Sequence, residues 1–305
     1  MYRNRKAFYM IFAGLAAAIV VGWIFNTVYY RSHQLAKPVF LEHYVEVEAS
    51  EGSIMHLYAL ENRSGSSPIA EVRLHGLETA HSVAIRRVDY GAQQLTAFQV
   101  SFNQKAVSEA AEKMKGNDAD VLILNKVDLL YSDGTIEQAN IGEIRLYAPE
   151  HEIAALSVPG GGGSSDNTGY EVLLAERDLQ ITDVDVFYAE QAGDRLEFYW
   201  GNKGQSKGKN EERTAEPDED RQSIGIPLDE VKFPVQVKAG STAVLRYRFR
   251  DRDPSDWTTV YHILPEIGFQ TGKGSFRMRS NPIDDTPHPS REQVRRFVME
   301  QGETS

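Results

Sequence analysis

The chain contains no cysteine in 305 residues, which excludes disulfide frameworks, thiolate metal sites and cysteine nucleophiles together. Carboxylates are missing from its start. Residues 1–37 carry only Arg3, Arg5, Lys6, Arg31 and Lys37 as charged side chains, and the first acid is Glu42. Charge of either sign is missing from Ala7 to Tyr30, a run of 24 residues without Asp, Glu, Lys, Arg or His. His-Glu-x-x-His spacing, which sets two metal ligands on one helical face, is missing too. The eight histidines (His33, His43, His56, His75, His81, His151, His262 and His288) are scattered, and surface or internally satisfied roles suit each of them.

What is present divides into two materials. The 33 basic and 44 acidic side chains give a net charge of −11, but residues 38–305 alone hold 28 basic and 44 acidic groups, a balance of −16. Such a surface argues against general nucleic-acid binding, because a phosphate backbone rewards clustered positive charge.

As a helix, residues 7–30 would be about 36 Å long at 1.5 Å per residue, against ~30 Å of hydrocarbon in a bilayer. Phe8 and Tyr9 at one end, and Trp23, Phe25, Tyr29 and Tyr30 toward the other, suit rings that prefer the headgroup region. A cleaved signal peptide shares the basic start but has a shorter apolar run and a small-x-small cleavage site. Here Ala16, Ala17 and Ala18 fall inside the run, which favours an uncleaved anchor. Arg3, Arg5 and Lys6 outnumber Arg31 and Lys37, so the positive-inside rule puts residues 1–6 in the cytoplasm and everything beyond the span outside the cell membrane. Gly14, Ala18 and Gly22 line one face at every fourth position. They offer a contact seam for a homodimer, although small residues are frequent in membrane helices in any case.

Beyond a tether at residues 31–41 the hydrophobic period is mostly two. Short apolar or alternating runs at 43–48, 54–60, 69–74, 83–88 and 95–102 are separated by turn-rich pieces, and the helical spacing of Ala106, Val107, Ala110, Ala111 and Met114 marks one short helix. Strand signals resume at 119–124, 127–131 and 141–147. The glycine-rich piece 159–169 reads as an interdomain linker, with a hairpin loop as its rival reading. A second set of runs follows at 170–175, 179–188, 195–200, 231–237, 243–249, 258–263 and 274–279. Residues 203–222 interrupt it, with Lys203 to Arg221 too polar to bury a core, as a disordered loop would be.

The predicted architecture is therefore mainly β: a single transmembrane helix, then two antiparallel, immunoglobulin-like β-sandwiches at 42–158 and 170–281. The first carries a short helix. A tail at 282–305 ends in another, with Ser290 and Gln293 as a capping box and Val294, Phe297 and Val298 as an apolar face expected to dock on the second domain.

Three constellations could carry chemistry. Residues 121–130, an apolar run through Asn125-Lys126-Val127-Asp128, resemble the guanine-specificity motif of GTPases, in which the Asp reads the base; this is the remote alternative. Gly268 to Gly274 is one residue short of a phosphate loop, and Asp285-Thr286-Pro287-His288 ends in His where Gly is needed. Asp251, Asp253 and Asp256 place three carboxylates on one loop, a candidate calcium set, although no Gly stands at the sixth position and Asp-Pro is ordinary turn chemistry.

The third is an arginine ladder. Arg246, Arg248 and Arg250 alternate with Leu245, Tyr247 and Phe249, and Arg277 and Arg279 flank Met278. On one sheet they would form a face for an anionic envelope polymer or an acidic protein partner. The opposing reading pairs them with the chain's own Asp183 and Asp185. The expected function is binding or assembly at the cell envelope, without catalysis and without a cofactor apart from the candidate calcium. The alternative from another class is an extracytoplasmic glycan hydrolase using paired carboxylates.

Overall fold

The apolar run forms helix α1 (Tyr2–Ser32). Within it Phe8–Tyr30 is long and apolar enough to cross a membrane, and none of that window is buried against the rest of the protein. The structure is a computed structural model that describes residues 2–64, 67–77, 79–116, 121–148, 155–164, 167–202, 225–250 and 256–303. The polar loop at 203–222 lies outside these residues.

The first sandwich is built from β1 (Val39–Phe40), β2 (Glu42–Glu48), β3 (Ile54–Asn62), β4 (Ile69–Leu74), β5 (His81–Tyr90), β6 (Gln93–Ser101), β7 (Val121–Tyr131) and β8 (Ile136–Tyr147). One sheet has the order β1-β3-β6-β5. Its inward positions follow the two-residue period: Met55, Leu57 and Ala59 on β3 are fully buried, opposite Val72, Leu74, Val127, Leu129 and Ile144 of the facing sheet. Helix α2 (Gln104–Gly116) adds Ala106, Ala110 and Met114 to the same core. Asn103 starts it by accepting the Ala106 N–H at 2.9 Å, and Lys113 and Lys115 complement the helix dipole in its last turn.

The rest of the chain supplies β9 (Leu156–Gly163), β10 (Thr168–Ala175), β11 (Leu179–Asp185), α3 (Ala189–Ala192), β12 (Leu196–Asn202), β13 (Ile226–Pro227), β14 (Val235–Val237), β15 (Thr242–Phe249), β16 (Thr259–Ile263), β17 (Glu266–Thr271), β18 (Gly274–Arg279) and β19 (Ile283–Asp285), and all of its strands but β16 and β19 build the second sandwich. Sheets β13-β12-β15-β10-β9 and β14-β11-β17-β18 enclose Leu173, Ile181, Trp200, Leu245, Ile267 and Phe269. Helix α4 (Arg291–Glu303) closes the described chain.

Four expectations change. The glycine run at 159–169 is no linker: Gly160–Gly163 pair with β10 as an edge strand. Glycine is needed there, since a Cβ on Gly161 would lie 2.7 Å from the Tyr170 carbonyl oxygen and one on Gly169 2.2 Å from the Tyr247 ring. Nor do the units divide at 170–281. Strands β16 and β19 leave the second unit and extend the first, giving a six-stranded sheet β19-β16-β2-β8-β7-β4. That sheet is mixed, because β16 and β8 both run parallel to β2. Parallel neighbours need long connections: β3 to β7 lie between β2 and β8 in the chain, and the path from β2 to β16 also takes in most of the second sandwich. Finally, β7 runs unbroken through Asn125, where the register shifts by a bulge, in place of the expected strand and turn.

Candidate functional site

The arginine ladder is split. Strand β15 lies in one sheet of the second sandwich and β18 in the other, so the five guanidinium groups share no face. The alternation of each strand was visible in the sequence; their sheet membership was not. Arg250 is hydrogen-bonded to Glu197. Partial burial would raise the Glu197 carboxyl, but hydrogen bonds from Arg250 and Tyr199 and the charge of Arg248 outweigh it and hold it below its ordinary value. Arg277 reaches Glu266, Asp183 at 3.1 Å and Asp185 at 4.0 Å. Arg279 lies 3.8 Å from Glu48 and 3.7 Å from Glu266, with its guanidinium 4.0 Å from the Tyr147 ring centroid.

Asp251 and Asp253 lie outside the described residues, and Asp256 opens a short 3-10 turn whose next residue, Trp257, is buried. Among the described residues no three His, Asp or Glu side chains are placed to hold a metal. Gly14, Ala18 and Gly22 are exposed along α1. Asp128 of the GTPase-like run is engaged by His75 at 3.0 Å, and Gly268–Gly274 forms the β17–β18 hairpin in a different sheet. The letters Gly204-Gln205-Ser206-Lys207-Gly208 match a Gly-x-Ser-x-Gly spacing, and they too lie outside the described residues.

What the fold does bring together is a cleft of about 640 Å³ where the two sandwiches meet. Its polar lining includes Glu48 and His56 from the first sandwich, Arg279 and Ser280 from the second, and His262 and Asp284 from the strands that cross between them. His262 Nδ1 lies 2.6 Å from Asp284. Behind the lining sits Glu171, 3% exposed in an otherwise apolar stretch of β10. Burial pushes its carboxyl up to about 6, against hydrogen bonds from Ser280 and Asn281, and its Oε2 has no hydrogen-bond partner among the described residues. The only sequence signal for it was one acid inside the apolar run 170–175.

Around the cleft, polar groups lock the joint. Glu46, 2% exposed, accepts from Tyr147 O–H at 2.7 Å and the Leu264 N–H at 3.1 Å, while burial raises its carboxyl. Arg195 and Asp285 form a nearly buried ion pair between the two units. The Arg145 guanidinium lies 3.7 Å from the Phe187 ring centroid, and Tyr188 O–H donates to the Glu143 carbonyl at 3.2 Å.

The tether is pinned as well. Asn62 accepts the Leu35 N–H at 3.0 Å and donates to the Leu35 carbonyl at 2.7 Å, while Gln93 donates to the His33 carbonyl at 2.5 Å. Leu35 joins a core with Leu41, Leu60, Leu95, Trp257, Val294 and Val298. Helix α4 therefore docks at the base, on the tether, the first sandwich and the segment at Trp257 and Val260. Its capping box forms as expected, with Ser290 N–H to Gln293 at 2.6 Å and Gln293 N–H to Ser290 at 3.2 Å.

No protein-family model matches the chain, and no curated protein matches it. Among solved structures it is similar to the fibronectin(III)-like modules of Clostridium thermocellum CbhA, at 9% identity over 83% of this chain and 94% of that one, with a TM-score of 0.20. A titin structure matches at 13% identity over 81% and 97%, TM-score 0.20, and a marsupial T cell receptor at 10% over 80% and 100%, TM-score 0.21. Overlaps this low say nothing of what the chain binds. The class of protein rests on its own topology: mainly β, two sandwiches, and one apolar N-terminal helix.

Proposed function

We propose that the protein is a membrane-anchored binding or assembly protein of the cell envelope, held by α1 with its N-terminus in the cytoplasm and its two sandwiches outside. The observation that carries this is the exposed apolar helix Phe8–Tyr30 joined through a pinned tether to a locked pair of sandwiches. The cleft is the proposed binding surface, and its mixture of charge and apolar lining suits a ligand with both kinds of group. Binding is favoured over glycan hydrolysis by the state of the cleft carboxylates. Hydrolysis needs one carboxyl kept protonated as general acid opposite a second carboxylate, whereas Glu48 faces Arg279 and Asp284 faces His262, partners that favour the ionised form of both.

Protease added to intact cells should degrade the sandwiches and leave a small membrane fragment; complete protection would place them on the cytoplasmic side and overturn the orientation. A photo-crosslinking residue placed at Ser53, on the cleft wall, should yield a discrete adduct in cells that the same residue at exposed Lys238 does not. Equal labelling from both positions would remove the cleft from the proposal.

A further inference from the structure

Helix α4 meets the end of the apolar span. Its docked face is Val294 and Val298, fully buried, with Phe297 packed 5.4 Å from the Trp257 ring. On the flank of that face, Arg291, Arg295 and Met299 fall at i, i+4 and i+8 and so form one stripe along the helix. All three are exposed, and neither arginine is engaged by a carboxylate among the described residues. The stripe has a fixed height relative to α1, because the Arg295 guanidinium carbon lies 5.7 Å from the ring centroid of Tyr29, next to last in the apolar window. A tyrosine at that point of a membrane helix sits at headgroup level. Glu292, Arg296 and Glu300 lie on a separate stripe, spaced i, i+4 from one another, where charges of opposite sign offset each other.

We propose that the Arg291, Arg295 and Met299 stripe rests on the outer headgroup layer and binds anionic phospholipid, so that the base of the first sandwich is seated on the membrane surface at a second point. This rests on the reading of α1 as a membrane span. Guanidinium forks match phosphate oxygens in pairs, and an exposed methionine between the helix and the acyl boundary adds apolar contact. The docked valines keep the helix from swinging away without exposing the core at the base.

The cysteine-free chain makes the test clean, since Met299→Cys gives a single site for an environment-sensitive nitrobenzoxadiazole label on the full-length protein. In vesicles of equal parts phosphatidylglycerol and phosphatidylcholine, the label should emit to the blue of its position in phosphatidylcholine alone, and high salt should reverse the shift. A label at Lys238→Cys should show neither effect. Apparent affinity for the anionic surface should fall about fivefold for each arginine removed in Arg291→Gln and Arg295→Gln, and further in the Glu variants. Flotation of the same samples separates the two readings. Protein that fails to float with either vesicle overturns the membrane span. Protein that floats, with a position-299 label indifferent to lipid charge or to the arginines, overturns the lipid-binding stripe alone, as does binding to a soluble phosphate polymer in preference to the vesicles.

Discussion

The protein has two load-carrying contacts, and they are made of different materials. At the base, the tether, β3, β6, the segment at Trp257 and α4 meet through Leu35, Leu41, Leu60, Leu95, Trp257, Val294 and Val298. At the joint, acids meet arginines and polar donors: buried Glu46 accepts from Tyr147 and from the Leu264 N–H, buried Asp285 pairs with Arg195, and half-buried Glu48 faces Arg279. Apolar packing gives strength with little orientation, whereas each buried polar pair has few acceptable geometries. The difference suits their positions. A base needs to hold under any pH or salt, and a joint that shapes a cleft needs one fixed angle. The same difference gives the joint its carboxylates whose charge state should respond to pH.

The comparison breaks most visibly at the base. Trp257→Ala removes the centre of that cluster and should cost roughly 3–5 kcal/mol, read by denaturant titration of the full chain, with the loss independent of salt. A cost under 1 kcal/mol would show that the base is not a core.

At the joint, Arg195→Ala leaves the 4%-exposed Asp285 without its cation and should destabilise by about 3 kcal/mol. Arg195→Met with Asp285→Leu should recover most of that, since an apolar pair avoids the desolvation cost. Additive losses in the double variant would mean that the two side chains do not act as a pair.

The smallest expected effect has the opposite sign. The Glu171 carboxyl is raised from 4.5 to about 6 by burial, so the native protein prefers it protonated. Its burial costs nothing below pH 4.5 and costs most above pH 6, where the charge must be held inside. Glu171→Gln should therefore stabilise the protein by roughly 2 kcal/mol at pH 7.5 and have little effect at pH 4.5, seen as a rise in Tm at the higher pH only. Equal effects at both values would mean that the carboxyl is solvated. His43 works in the other direction: fully buried, with Nδ1–H donating to the Leu41 carbonyl at 2.7 Å and Nε2 accepting the Tyr58 N–H at 2.9 Å, it is held neutral with its pKa lowered to about 4 by desolvation. Its contribution is complete above pH 6.5 and is lost as pH falls through 4.

The sequence exposed what local patterning records. Two-residue alternation located β2, β3 and β15, and helical spacing with a cap located α2 and α4. The missing charge at 7–30 located α1. It hid what depends on distant partners. Gly160–Gly163 carry no side chains to alternate, so their pairing with β10 left no trace in hydrophobicity. The parallel alignment of β16 with β2 joins residues more than two hundred positions apart, and nothing in Thr259–Ile263 names its neighbour. The cleft was hidden for the same reason, since Glu48, His262 and Arg279 meet only once β16 and β19 have crossed between the units. The five arginines show the limit from the other side: their outward direction followed from alternation, while their separation followed from which sheet each strand joined.

A flexible linker and an interlocked joint differ most directly in the distance between the sandwiches. Spin labels at Ile136→Cys, exposed in the first sandwich, and Lys273→Cys, in the β17–β18 turn of the second, can be placed on the full-length chain without removing any native cysteine. Interlocked sandwiches predict a single narrow distance distribution by pulsed dipolar spectroscopy, unchanged when the protein is moved from detergent to vesicles. A broad distribution would contradict the locked joint and return residues 159–169 to the role of a linker.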